Sequence, residues 1–133
     1  MYNKLFSAWR YELENEALGS LETNFYSKIS NYIKSLKEKN EEFSTGIQSS
    51  LLTQELNHAI CMVEELISTR YNKIINLSEK EKSITLEILP LEERNLFSNF
   101  FSFIKKYQLF KKKLLNDSVT KKEIKQSNLR VLL

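Results

Sequence analysis

The chain has 133 residues, of which 41% are hydrophobic and 28% charged, a balance that excludes a disordered chain and supports one domain with its own core. A protein of this size buries roughly 68% of the surface its unfolded chain exposes. Two glycines and one proline are too few for the turns a β-rich fold needs. The expected class is therefore all-α, a bundle of about four to five helices around a long central one.

No apolar run approaches the roughly 18 residues of a membrane span, and Met1 to Arg10 has none of the marks of a signal peptide. Cys61 is the single cysteine, so it makes no internal disulfide and no cysteine-only zinc site. These features read as a cytoplasmic protein. The net charge of +3 conceals an asymmetry. Residues 1–104 hold 11 basic and 15 acidic groups, whereas residues 105–133 hold 9 basic and 2 acidic. The basic excess lies at the C-terminal end.

Leu5, Phe6, Trp9 and Leu13 form the first helical stripe, with Gly19 as its expected stop. Leu21, Phe25, Ile29, Tyr32, Ile33 and Leu36 form the second. The polar run from Lys37 to Glu42 reads as a solvated last turn and loop, and Thr45-Gly46 punctuates the gap. A third helix over 47–77 carries Leu52, Leu56, Ala59, Val63, Leu66, Ile67, Ile74 and Leu77 on one face. At about 45 Å it is long enough to be the central helix. Residues 78–89 lose the pattern and read as a linker, in which Ile84 to Ile88 alternates weakly like a short extended piece.

Pro90 opens a fourth helix, with Glu92 and Glu93 in the first turn, where the helix dipole favours acids. Its apolar set is Leu96, Phe97, Phe100, Phe103, Ile104, Tyr107 and Phe110, of which Phe100, Phe103 and Tyr107 are expected to pack in the core. Asp117 or Ser118 could cap a short helix through Lys125, and Asn128 to Leu133 could start a strand. The expected division is a helical domain over 1–110 and a basic linker or tail over 111–133.

Little in this chain suggests catalysis. Glu55-x-x-His58 has the spacing of a di-iron ligand pair, but His58 is the only histidine and falls off the apolar face. No nucleophile elbow or glycine-rich phosphate loop is present. Glu64-Glu65 and Glu92-Glu93 are adjacent pairs that point apart on a helix and read as solvated charges. No catalytic residue, cofactor or metal is expected, so the chain is read as a non-enzyme.

Arg70 stands out because it falls in the middle of the apolar face of the third helix. A buried guanidinium needs a carboxylate and hydrogen bonds. Three readings are open: an internal ion pair to an acid on helix one, two or four, an ion pair across a subunit interface, and snorkelling to solvent. The fourth helix is apolar over about half its circumference, more than one neighbour in a small bundle covers. Phe97 and Phe101, with Phe6 and Trp9, are therefore candidates for a partner surface. Lys105, Lys106, Lys111, Lys112, Lys113, Lys121, Lys122 and Lys125 read as a solvated tail, with phosphate neutralisation as the alternative.

Three segments then resemble a known family. Leu21-x3-Phe25-Tyr26-x2-Ile29-x2-Tyr32-Ile33-x2-Leu36 resembles the second helix of GINS subunits. Leu52-x2-Glu55-x-Asn57, followed by Arg70-x2-Lys73-Ile74, is similar to that family's long central helix. Leu89-Pro90-Leu91-Glu92-Glu93-Arg94-x2-Phe97 is similar to its later helix start. The resemblance spans roughly residues 13–110 and implies a scaffold subunit of a tetrameric replication factor that joins the MCM helicase to a RecJ-like or Cdc-type partner.

It further implies a heterotetramer built from this chain and a second GINS-type subunit, in a nucleoid-associated or, in a eukaryote, nuclear setting. Archaeal members of the type with the helical domain first carry a small β domain after it. The residues beyond the fourth helix and its lysines are too few for that domain, and 128–133 reads as the stub of its first strand. Phe6, Trp9, Tyr26, Phe97 and Phe101 are the expected subunit interface, Arg70 a buried or interface ion pair, and Lys111, Lys112, Lys113, Lys121 and Lys122 candidate DNA contacts. The competing readings are a basic-tailed nucleic-acid-binding module and an unrelated helical adaptor.

Overall fold

A computed structural model describes residues 1–43, 45–80 and 84–120. Over these residues the chain forms four α-helices and one 3₁₀ turn, with no strand among them: α1 (Tyr2–Glu14), α2 (Phe25–Glu42), α3 (Ile47–Glu79), the turn Leu86–Ile88, and α4 (Leu91–Thr120). The fold is all-α. It divides into two compact units, Met1–Phe97 and Ser98–Leu133.

In the first unit α3 is central and packs against both α1 and α2. Its 33 residues make a rod of about 50 Å. The core consists of Leu5 from α1, Phe25, Ile29 and Leu36 from α2, and Ala59, Met62 and Leu66 from α3. Trp9, Tyr32, Ile33, Leu52, Leu56 and Val63 pack around it, partly buried. The buried stripe of α3 runs Ala59, Met62, Leu66, Arg70, Ile74, Ser78, in steps of three and four. Arg70 lies within this stripe as expected, while Met62 and Ser78 join it and Ile67 is left exposed. Ser78 is accommodated because its hydroxyl donates to the Ile74 carbonyl at 2.8 Å.

Helix α1 ends earlier than Gly19. At Asn15 the backbone turns extended, and the Asn15 amide and side-chain Nδ2 both donate to the Tyr11 carbonyl at 3.0 Å. Gly19 has a different role. A Cβ there would lie 2.5 Å from Glu12 Oε1 and 2.7 Å from a Tyr11 ring carbon, so only glycine lets this segment approach α1 so closely. Helix α2 continues through the polar run to Glu42, since Lys and Glu are good helix formers even where nothing apolar holds them. Gly46 precedes α3 at φ 96°, a left-handed backbone that glycine adopts without penalty.

The segment 84–88 is extended at Thr85 but does not continue as a strand. Residues 86–88 form the 3₁₀ turn, flanked by two isolated backbone bonds, Leu21 N–H to the Ile88 carbonyl at 2.9 Å and Leu91 N–H to the Thr23 carbonyl at 3.0 Å. Five alternating residues without a paired strand do not make a ladder. Arg94 holds the corner: its Nε donates to the Leu86 and Leu89 carbonyls at 2.9 Å, and its outer nitrogen to Thr23 Oγ1 at 3.1 Å.

Pro90 is buried just ahead of α4, and its carbonyl accepts from Arg94 N–H at 3.0 Å. In the second unit the described residues continue α4 from 98 to 120, so positions 117 and 118 lie inside a helix rather than at the start of a new one. Phe103 and Tyr107, expected in the core, are 61% and 54% exposed, while Phe100 is half-buried. The expected helix beyond 120 and the strand over 128–133 lie outside the described residues.

Candidate functional site

The densest polar feature of the first unit is a buried ionic cluster built from α1, α3, the segment after α1 and the start of α4. Arg70 projects from the buried stripe of α3 and is fully enclosed. Its Nε donates to both carboxylate oxygens of Glu93 at 3.0 Å, and one outer nitrogen to Glu93 Oε1 at 2.8 Å. The other outer nitrogen donates to Glu12 Oε1 at 2.8 Å and to the Gly19 carbonyl at 2.7 Å. This two-pronged grip on Glu93 is the arrangement guanidinium favours over ammonium.

The acids are equally engaged. Glu12 also accepts from Lys73 Nζ at 2.6 Å and from Gly19 N–H at 2.8 Å. Glu93 accepts the Tyr26 hydroxyl at 2.7 Å. Lys73 further donates to the carbonyls of Glu12, Asn15 and Ala17 at 2.9, 2.7 and 3.1 Å, binding α3 to the chain that leaves α1. Two carboxylates face two cations, so the formal charge cancels.

The electrostatics follow from this closure. Burial works against the charged guanidinium of Arg70, but the hydrogen bond and charge of Glu93, with smaller help from Tyr26 and Glu12, outweigh it and leave its pKa raised. Tyr26 is also raised, first by burial, then by the negative charge of Glu93 and the bond to it. Its phenol therefore remains a donor. The Tyr32 hydroxyl is buried without a hydrogen-bond partner among the described residues. Burial first, and then the nearby Glu55 charge, hold its proton.

Of the three readings open for Arg70, the internal ion pair is the one seen, and its acids come from α1 and α4. Glu93 is a correction to the solvated reading of the Glu92-Glu93 pair: it is 8% exposed, because adjacent helical residues point apart and one of them faces Arg70. Sequence reasoning missed Glu12, Lys73 and Gly19. Glu12 was findable, since it lies three residues from Trp9 and seven from Leu5 on the same stripe, an acid on an apolar face just as Arg70 is a base on one.

The expected interface residues differ in exposure and in partners. Phe6 and Trp9 touch, ring centres 5.5 Å apart and tilted by 48°, and the Trp9 indole donates to Glu65 at 3.0 Å. Phe6 remains exposed. Tyr26 is drawn into the ionic cluster. Phe97 is buried, at 7% exposure. Phe101 is half-buried, with Lys105 Nζ 4.7 Å from its ring centre, a cation–π contact. Lys111, Lys112 and Lys113 are exposed on α4, whereas Lys121 and Lys122 lie outside the described residues.

His58 and Cys61 are exposed on α3. Among the described residues no three His, Cys, Asp or Glu side chains are placed to hold a metal ion, and no helix is long and apolar enough to cross a membrane. Compared with known proteins, the chain matches no family model, no curated protein and no solved structure.

Proposed function

We propose that this chain is a non-enzymatic scaffold subunit of a GINS-like complex, which joins and activates the replicative MCM helicase in DNA replication. The observation that carries the reading is the convergence of the three segments that resemble the family. Tyr26 comes from the first, Arg70 and Lys73 from the second and Glu93 from the third, and the four meet in one buried cluster. The cluster ties the first turn of α4 to α3 and, through Arg70, to α1 within the first unit.

In this reading the protein works by geometry. Exposed apolar positions on α1 and α3 pair with a second GINS-type subunit and with a second copy of this chain, and the assembly aligns the helicase with a RecJ-like or Cdc-type partner. Affinity purification of the chain from its native cell, with identification of the bound proteins, tests it. A second GINS-type subunit and the MCM helicase are expected in the eluate. Recovery of the chain with neither of them removes the reading and favours an unrelated helical adaptor.

A further inference from the structure

Between Arg94 and Asn116 the sequence contains no acidic residue, and residues 98–116 contain five lysines, at 105, 106, 111, 112 and 113. On this stretch of α4, Phe103, Tyr107 and Phe110 are 61%, 54% and 55% exposed. Their spacing of four and three residues puts them on one stripe about 60° wide. Lys106 and Lys113 border one edge of that stripe and Lys111 the other, in the manner of the flanking positions of a coiled coil. Three aromatic rings in a row on an exposed helix face are the composition of an interface centre, and the lysines are its rim.

The charge decides what covers it. A second copy of the same stretch, parallel or antiparallel, sets lysine against lysine along both edges, with no carboxylate between Arg94 and Asn116 to relieve the repulsion. A nucleic-acid duplex would neutralise the lysines but offers phosphates and sugars to the rings, which leaves the apolar part of the face unmatched. A single strand, whose bases can stack on exposed rings, is the rival occupant that the single-stranded probe tests. We infer that this face of α4 docks an acidic amphipathic helix of a partner protein. Its apolar side chains cover Phe103, Tyr107 and Phe110, and its carboxylates stand opposite Lys106, Lys111 and Lys113. The surface is distinct from the residues on which the scaffold reading rests, and the inference holds whichever complex the chain serves.

Fluorescence anisotropy of labelled probes titrated with the full chain tests the inference. The probes are a designed heptad peptide with leucine at its core positions and glutamate at its flanks, the same peptide with lysine at its flanks, and single-stranded and duplex oligonucleotides. The acidic peptide is expected to bind at least about tenfold more tightly than the basic one. Phe103→Glu is expected to weaken that binding by at least about tenfold while far-ultraviolet circular dichroism stays unchanged. The combined change Lys106→Glu, Lys111→Glu and Lys113→Glu is expected to reverse the preference to the basic peptide. Equal binding of the two peptides, or binding of neither, would overturn the inference. So would tighter binding of either oligonucleotide than of the acidic peptide, or self-association that Phe103→Glu abolishes.

Discussion

Removing Arg70 alone leaves Glu93 buried with only the Tyr26 hydroxyl, whereas Glu12 keeps Lys73 and the Gly19 amide. The cost of Arg70→Met is therefore mainly the stranding of one carboxylate, about 3–5 kcal/mol. Replacing the pair together, Arg70→Met with Glu93→Leu, leaves Glu12 and Lys73 balanced and is expected to recover most of that loss. Urea unfolding of the two variants measures it; a double variant no more stable than the single one would mean that the ion pair is not the unit of cost. Tyr26→Phe deletes a hydrogen bond to a charged acceptor, for about 1.5–3 kcal/mol near neutrality. Its proton is held above the ordinary value of 10.0, so its contribution is full below about pH 10 and is lost as pH rises toward the folded-state value. The stability gap between wild type and Tyr26→Phe should thus narrow above pH 10. A gap constant to higher pH would show that the phenol titrates alike in folded and unfolded chains.

At the scale of elements, burial separates positions that the sequence makes look alike. Leu66 on α3 is 1% exposed and Phe103 on α4 is 61% exposed, yet both sit on regular apolar stripes. Leu66→Ala is expected to cost about 2–5 kcal/mol and Phe103→Ala less than about 0.5 kcal/mol, read from denaturation midpoints. Equal losses would place Phe103 in a core. The four helices were legible because their apolar residues recur at three and four. The edges of the buried stripe of α3 were not, because apolar spacing leaves out Ser78, whose hydroxyl is satisfied within its own helix, and includes Ile67, which is exposed. Arg70 lay on the expected face, but its partners Glu12 and Glu93 are distant in sequence. The end of α1 was misplaced for a related reason. Gly19 looks like a helix stop, but its missing side chain makes room for Glu12 and Tyr11, and Asn15 ends the helix through bonds to Tyr11. The long α2 reflects helix propensity in its last turns, with Asn40 Oδ1 accepting from Thr53 Oγ1 of α3 at 3.0 Å, where a reading based on apolar spacing has nothing to follow.

Across the whole molecule, apolar surface and charge are unevenly shared. Residues 1–104 carry 15 acidic and 11 basic groups against 2 and 9 in residues 105–133. In the first unit Ile67 and Tyr71 are exposed one turn apart on α3, at 46% and 60%, and Phe6 and Leu13 are exposed on α1. These positions, unlike the lysine-bordered stripe of α4, can meet a second copy of themselves without setting a row of like charges together. A stable interface covers about 800 Å² on each partner, a demand that scattered side chains meet only if neighbouring helix faces contribute jointly. The purified chain is therefore expected to self-associate through the first unit, with little dependence on salt because the contact is apolar. Combined Ile67→Glu and Tyr71→Glu should shift it toward monomer without loss of helix, while Phe103→Glu leaves the association unchanged. Mixed with a second GINS-type subunit, the wild-type chain should pass from a concentration-dependent distribution to one species of fixed mass. Light scattering coupled to size exclusion, at low and high salt, distinguishes the outcomes. A monomer of constant mass in every mixture would leave the exposed α3 residues without a partner and the scaffold reading without support.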